Sequence, residues 1–323
     1  MIQKSIGIDV SKDTLVVCLR SSPSSPPQES QCANTLSGIE ELLRWLESQK
    51  VDESTPIVVE STSSYHWLVC LCLREQGLDV RLINPIITKK YQRASVRNAK
   101  TDRVDAERLA EIGQLEPDLP RFFDSREQLS QKRCQSLIQK LETVKQELGR
   151  AYKDALEAFE RIGIDMDLEC VKNALKQIEE SLQVLKRMIE SQADNMAREL
   201  AQNIRGLSLY QASVLLTAVG GRNFGTREQF IAFFGLDISR RQSGTWQGRE
   251  KLSKRGNPYY RKILFQLGWS LQQNNEIYHA YYQQIRDRGK HYYTAILATA
   301  RKFLRFLFSF LHQNHFFSFD SSL

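Results

Sequence analysis

The sequence predicts an α/β domain at the N-terminal end, a long helical hairpin in the middle and a mainly α-helical domain at the C-terminal end. Three observations carry that prediction. Strand-like apolar runs alternate with helix-spaced ones over residues 4–115, two heptad-like series follow Ser125, and beyond about residue 203 the pattern breaks into short helices. The domains are expected at 1–122, 123–202 and 203–323.

Ser5 to Val10 and Thr14 to Leu19 are strand-like runs on either side of the polar turn Ser11-Lys12-Asp13, which reads as a β-hairpin. Ile39, Leu42, Leu43 and Leu46 have helical spacing. Ile57 to Glu60 is a short strand, His66 to Gln76 a helix, and Val80 to Asn84 a strand stopped by Pro85. Leu137, Leu141, Val144, Leu148, Tyr152, Ala155 and Phe159 recur at steps of four and three and predict one long helix. After Gly163 the series from Leu168 through Leu175 and Leu182 to Ile189 repeats that spacing, so the two pair as an antiparallel coiled-coil hairpin with an internal or intermolecular seam. Ser208 to Val219 and Thr226 to Phe234 are short helices. Thr226 and Gln229 form a candidate capping box, and Pro258 suits a first helical turn.

With 323 residues, 41% hydrophobic and 26% charged, the chain has the composition of an ordinary soluble protein, and disorder is not expected. Its net charge of +7 is local: between Arg222 and Lys262 ten Lys and Arg face three Asp and Glu. Such a stretch is either a solvated basic face or, given the interleaved Gly, Ser, Trp246, Tyr259 and Tyr260, a surface for a nucleic-acid backbone. The six cysteines lack zinc spacing and are expected to be reduced. The start leads into a strand rather than a signal-peptide core, and Arg301, Lys302 and Arg305 break the apolar tail, so neither secretion nor membrane spanning is expected.

Four carboxylates are the candidate chemistry: Asp9 and Glu60 end apolar runs, and Asp102 and Asp105 sit three apart, on one face of a helix. Unpaired, they would be costly; converging, they would hold Mg²⁺, and paired ions are the usual apparatus of phosphodiester cleavage. Each has a plainer reading. Asp9 could belong to a sugar-kinase or actin-like ATPase strand, but Ser11-Lys12-Asp13 is no glycine-rich phosphate turn. Glu60 could lie on an edge strand, and Asp102 and Asp105 could merely favour a helix N-terminus.

Ser243, in Arg240-Arg241-Gln242-Ser243-Gly244-Thr245, reads either as a linker serine in a flexible basic segment or as a hydroxyl that attacks a phosphodiester held by guanidinium groups. Arg205-Gly206-Leu207-Ser208 is either a helix cap or half of a helix-hairpin-helix, and Trp246 either packs or stacks on a base. His312 and His315, far from any carboxylate pair, read as surface residues.

In this order the motifs resemble the DEDD-type transposases of the IS110 family of bacterial insertion sequences, over nearly the full length. Asn98-Ala-Lys-Thr-Asp-Arg-Val-Asp-Ala106 is similar to the family's Lys-Thr-Asp-x-x-Asp-Ala signature; Phe230 to Gly235-Leu236, Ser243-Gly244 and Ser253-Lys254-Arg255-Gly256-Asn257 resemble its serine motif. Two departures stand out: Arg205-Gly206-Leu207-Ser208 lacks the family's Pro-Gly-Ile-Gly, and Ser61-Thr62-Ser63-Ser64 lacks the glycine common before Tyr65. The resemblance implies a RuvC-like, RNase H-fold domain in which Asp9, Glu60, Asp102 and Asp105 bind one or two Mg²⁺ ions, with Mn²⁺ able to substitute. It implies Ser243 as nucleophile, donor and target DNA as substrates, a bridge RNA as guide and a dimeric or tetrameric assembly in the bacterial cytoplasm at the nucleoid. Arg240, Arg241, Arg249, Lys251, Lys254 and Arg255 are the expected nucleic-acid contacts. The competing function is a RuvC-like metal-dependent endonuclease using activated water; a third class is a non-catalytic nucleic-acid scaffold.

Overall fold

Ser11 closes the first turn by bonding Thr14 in both directions: its amide donates to the Thr14 carbonyl at 2.9 Å, and its hydroxyl oxygen accepts the Thr14 amide at 3.0 Å. The predicted hairpin follows as β1 (Ser5–Val10) and β2 (Thr14–Arg20), antiparallel from Ser5 opposite Arg20 to Val10 opposite Leu15. The computed structural model describes residues 4–22, 25–61, 64–92, 101–220, 222, 224–239, 242–243, 246–247, 251–252 and 256–313. These fall into two compact units, 1–129 with 220–222, and 130–219 with 223–323.

The first unit is built on a five-stranded sheet in the order β3-β2-β1-β4-β5. The added edge strand β3 (Gln28–Ala33) pairs antiparallel with β2, whereas β4 (Ile57–Glu60) and β5 (Val80–Ile83) run parallel to β1. Strand alternation sorts the side chains to two faces. Ile6, Ile8, Leu15, Val17, Ile57 and Val59 pack with α1 (Leu36–Ser48) and α2 (His66–Glu75). On the other face Val58 and Ile83 pack with Leu109 and Ile112 of α4 (Asp102–Leu115). Pro85 does more than stop a strand: it opens α3 (Pro85–Gln92), where its missing N–H costs nothing. The outer side of β5 is covered, since Leu82 donates to Pro120 at 3.0 Å and Phe122 to Val80 at 2.8 Å.

Among the described residues the second unit is helical apart from one ribbon. The long helix α5 (Arg126–Arg161) is followed, after Gly163 at φ +68°, by α6 (Glu169–Ser191). Of the predicted series, Leu182 and Ile189 are buried and Leu141, Ile178 and Leu185 half-buried against the core of this unit, but Leu137 and Val144 face solvent and Ile138 is buried instead. Then come α7 (Asn195–Asn203), α8 (Leu209–Val219) and α9 (Arg227–Phe233). Thr226 caps α9 through the Gln229 amide, while the Gln229 side chain reaches past it to the Gly225 amide. The ribbon strands β6 (Ile238–Ser239), β7 (Gln242–Ser243), β8 (Trp246–Gln247) and β9 (Lys251–Leu252) precede α10 (Pro258–Asn274), α11 (Glu276–Asp287) and α12 (Tyr292–Gln313). Pro258 stands in the first turn of α10 as predicted, behind an Asn257 cap. Phe230, Phe234, Leu264, Leu267 and Phe303 lie in one core, and Gly268 allows α10 and α12 to touch: a Cβ there would meet the Ile296 carbonyl at 2.6 Å.

Candidate functional site

The carboxylates of the first unit are brought together by a helix laid on a strand. Along β1 the residues Ser5, Gly7 and Asp9 share one face, and α4 runs over them on small side chains. A Cβ on Gly113 would meet the Ser5 hydroxyl at 2.1 Å, and one on Gly7 would meet the Ala106 carbonyl at 2.0 Å and the Ala110 amide at 2.4 Å. The helix therefore lies almost on the strand backbone. Continuing the same way, the next strand residue, Asp9, comes level with the first turn of α4, which begins at Asp102 and includes Asp105. Ile8 pairs with Val59, so one further step in the parallel register puts Asp9 beside Glu60. Glu60 ends an interior strand between β1 and β5, not an edge strand.

Two ties hold α4 in that register. Arg20 of β2, largely buried, donates to Glu107 at 2.6 Å and Glu111 at 2.9 Å, both on α4, and its carbonyl accepts the Gln114 side chain at 3.2 Å. Thr101 caps the helix by accepting the Val104 amide.

The charge on the site is uncompensated at Asp9. Burial first, then the neighbouring Asp102, Asp105 and Glu60 carboxylates in that order, push its pKa up to about 6, against a small lowering by the Val10 amide. Asp105 is turned to Arg108, which donates to it at 2.8 Å. Among the described residues Asp102 makes no ion pair, and no three His, Cys, Asp or Glu side chains are set closely enough to hold a metal ion. The donor set nevertheless fits a hard divalent cation. It offers only oxygen, and its mutual repulsion is what such a cation relieves.

Ser243 lies in the second unit, in a ribbon rather than the linker that residue type suggested. Ile238 pairs with Leu252 and Ser239 with Lys251; beyond them Gln242 pairs with Gln247 and Ser243 with Trp246. Ser243 is thus the last paired residue of β7. Its side chain and those of Trp246 and Lys251 lie outside the described residues, as do Arg240, Arg241, Arg249, Lys254 and Arg255 altogether. The ribbon is anchored by glycines that carry no chemistry of their own. A Cβ on Gly256 would meet the Gly235 amide at 2.5 Å and the Phe233 carbonyl at 2.6 Å, so the chain leaves and returns through one backbone contact. Gly235 has φ +69°, and the Arg261 guanidinium donates to the Gly256 carbonyl across the junction. Their place in a motif was visible in sequence; this contact was not.

Two other candidates are also placed. Arg205 to Ser208 form the turn between α7 and α8, with Gly206 at φ +95° against Ser270, and Ser208 and Gln211 cap each other's amides at 3.2 Å. The turn is a helix cap. His312 accepts no ligand role: it stacks on Phe308 and bonds the Phe224 and Phe308 carbonyls, while His315 is outside the described residues.

A mixed sheet in which an antiparallel three-strand meander continues into two parallel strands, with acids gathered at the ends of β1 and β4, defines an RNase H-like domain. Residues 6–156 match the family model described as a transposase of the DEDD IS110 type, and residues 198–283 match the one described as the transposase IS116/IS110/IS902 family. The chain belongs to the IS110 family of transposases. A curated relative, the insertion element IS110 uncharacterized 43.6 kDa protein of Streptomyces coelicolor, is 24% identical over 156 residues, which are 48% of this chain and 38% of that protein. The chain thus spans well under half the length of the curated relative it matches. Among solved structures the RuvC of Thermus thermophilus aligns at 12% identity with a TM-score of 0.29, over 37% of this chain and all of that one. That score adds nothing to what strand order and sense establish.

Proposed function

We propose that the chain is a DNA transposase that cuts and rejoins strands through the Ser243 hydroxyl, with Asp9, Glu60, Asp102 and Asp105 holding Mg²⁺. The observation that carries this reading is the arrangement of Asp9 and Glu60 on neighbouring parallel strands beneath the first turn of α4, in a chain of the IS110 family. In the reaction the Ser243 oxygen attacks phosphorus, an O–P bond to serine forms, and the bond to the departing sugar oxygen breaks. The serine proton is lost to a base and the departing oxygen takes one up; attack by a strand hydroxyl on the phosphoserine reverses the step and releases the enzyme. Bound Mg²⁺, or Mn²⁺ in its place, supplies charge stabilisation to the phosphate. Arg240 and Arg241 orient that phosphate, and Arg249, Lys251, Lys254 and Arg255 contact the flanking backbone. A bridge RNA guides target choice, and the hairpin of α5 and α6 joins protomers in a homo-oligomer. The working division is a catalytic part at 1–122, the hairpin at 123–202 and the serine-bearing part at 203–323.

Ser243→Ala is the decisive experiment. The variant is expected to bind DNA but to form no covalent protein–DNA adduct and no strand-exchange product on denaturing gels. Cleavage at the wild-type rate by that variant would make water the nucleophile, as in a RuvC-like endonuclease. Asp102→Ala is expected to abolish cleavage under either mechanism, and an undiminished rate would leave only a binding scaffold.

A further inference from the structure

Beside the helix hairpin, one face of α5, one face of α6 and the start of α10 enclose a groove of about 450 Å³ that the reading above does not use. Its charge is sorted. From Glu142 to Glu160, α5 carries three cations, Lys145, Arg150 and Lys153, and all three line the groove; of its five acids only Glu142 does, while Glu147, Asp154, Glu157 and Glu160 point elsewhere. Lys186 and Lys262 complete the wall. The two acids in it are already matched: Glu142 accepts from Lys262 at 2.8 Å and from Lys186 at 3.3 Å, and Glu179 accepts from Lys145. Arg150 and Lys153 make no ion pair among the described residues.

A glycine supplies an independent sign. Gly149 sits inside α5 on the groove, where glycine costs about 1 kcal/mol relative to alanine, yet a Cβ there would meet nothing within 4 Å. The fold does not need that bare backbone. Something that comes close to it from outside would.

We propose that this groove seats the sugar–phosphate backbone of duplex DNA flanking the cut, a contact separate from the serine ribbon; it rests on the reading of the chain as a DNA transposase. The rise from Lys145 to Lys153 is about 12 Å, enough to follow roughly three phosphates of one strand. Arg150 and Lys153 supply the charge that no acid in the groove matches, and Gly149 lets the strand approach the helix.

The test is equilibrium binding of the full chain to labelled duplex DNA without divalent metal, over a range of salt. Arg150→Gln with Lys153→Gln is expected to weaken binding and to flatten the slope of log K against log salt by about two. An unchanged slope, or a loss confined to RNA of the same sequence, overturns the proposal. Gly149→Leu is expected to keep or raise the helix content and melting temperature while weakening DNA binding; wild-type affinity in that variant overturns it too. Binding is read without divalent metal and without any cleavage step, so a failure of the serine mechanism leaves this result readable by itself.

Discussion

Asp9 is the residue at which the site's electrostatics are concentrated. A carboxyl whose pKa is raised to about 6 binds its proton more tightly in the folded chain than in the unfolded one. The metal-free protein therefore loses stability as pH rises from the ordinary carboxylate range through about 6, and at neutral pH the ionised Asp9 is a liability. Asp9→Asn is expected to raise the melting temperature of metal-free protein at pH 7.5, by a free energy on the order of 1–2 kcal/mol once solvent screening is discounted, and to remove the pH dependence between 4 and 6.5. Added Mg²⁺ should stabilise wild type clearly more than the variant; equal shifts would argue against a cation held by Asp9. Asp9, Glu60, Asp102 and Asp105 were legible in sequence because an acid ending an apolar run, or an acid pair three apart before a helix, is a local pattern. Gly7 and Gly113 were not, because the reason for a missing side chain is the neighbour it would strike, and that neighbour is a hundred residues away.

At the scale of elements, the contact of α4 with β1 sets where two of the acids stand. Gly7→Ala forces the helix off the strand, since its Cβ would lie 2.0 Å from the Ala106 carbonyl. A loss of about 1–3 kcal/mol in urea unfolding is expected, with a fall in cleavage larger than the unfolded fraction explains. Arg20→Met should cost less in packing but free Glu107 and Glu111 from β2, so it is expected to lower cleavage without a comparable loss of stability. Sequence patterning recovered β1, β2, β4 and β5 but passed over β3, and the cause is physical. Gln28-Glu29-Ser30-Gln31-Cys32-Ala33 is an edge strand with a single buried apolar side chain, held by its hydrogen bonds to β2 rather than by burial. The ribbon around Ser243 escaped for a similar reason: four strands of two residues have no length in which periodicity could appear.

Over the whole molecule, apolar burial is split between separate cores. In the first unit Ile6, Ile8, Leu42 and Val69 pack on one face of the sheet and Val58, Ile83, Leu109 and Ile112 on the other; in the second unit Leu200, Val214, Phe230 and Leu264 share one core. Calorimetry is expected to show two transitions, and Leu264→Ala, at a fully buried site, should lower one by an amount equivalent to about 2–5 kcal/mol while leaving the other near its wild-type temperature. A single transition shifted as a block would show the units to unfold together. Among the described residues no helix is long and apolar enough to cross a membrane. The Gly235–Gly256 contact has a consequence for how such a chain can change. The ribbon departs and rejoins at one point, with Leu252 packed on the core beside it, so length added beyond Leu252's partner strand does not disturb that contact. Lengthening the excursion twofold adds only about 0.6 kcal/mol of closure entropy. The segment bearing the serine can thus vary in length at small entropic cost, while the two glycines that latch it cannot change.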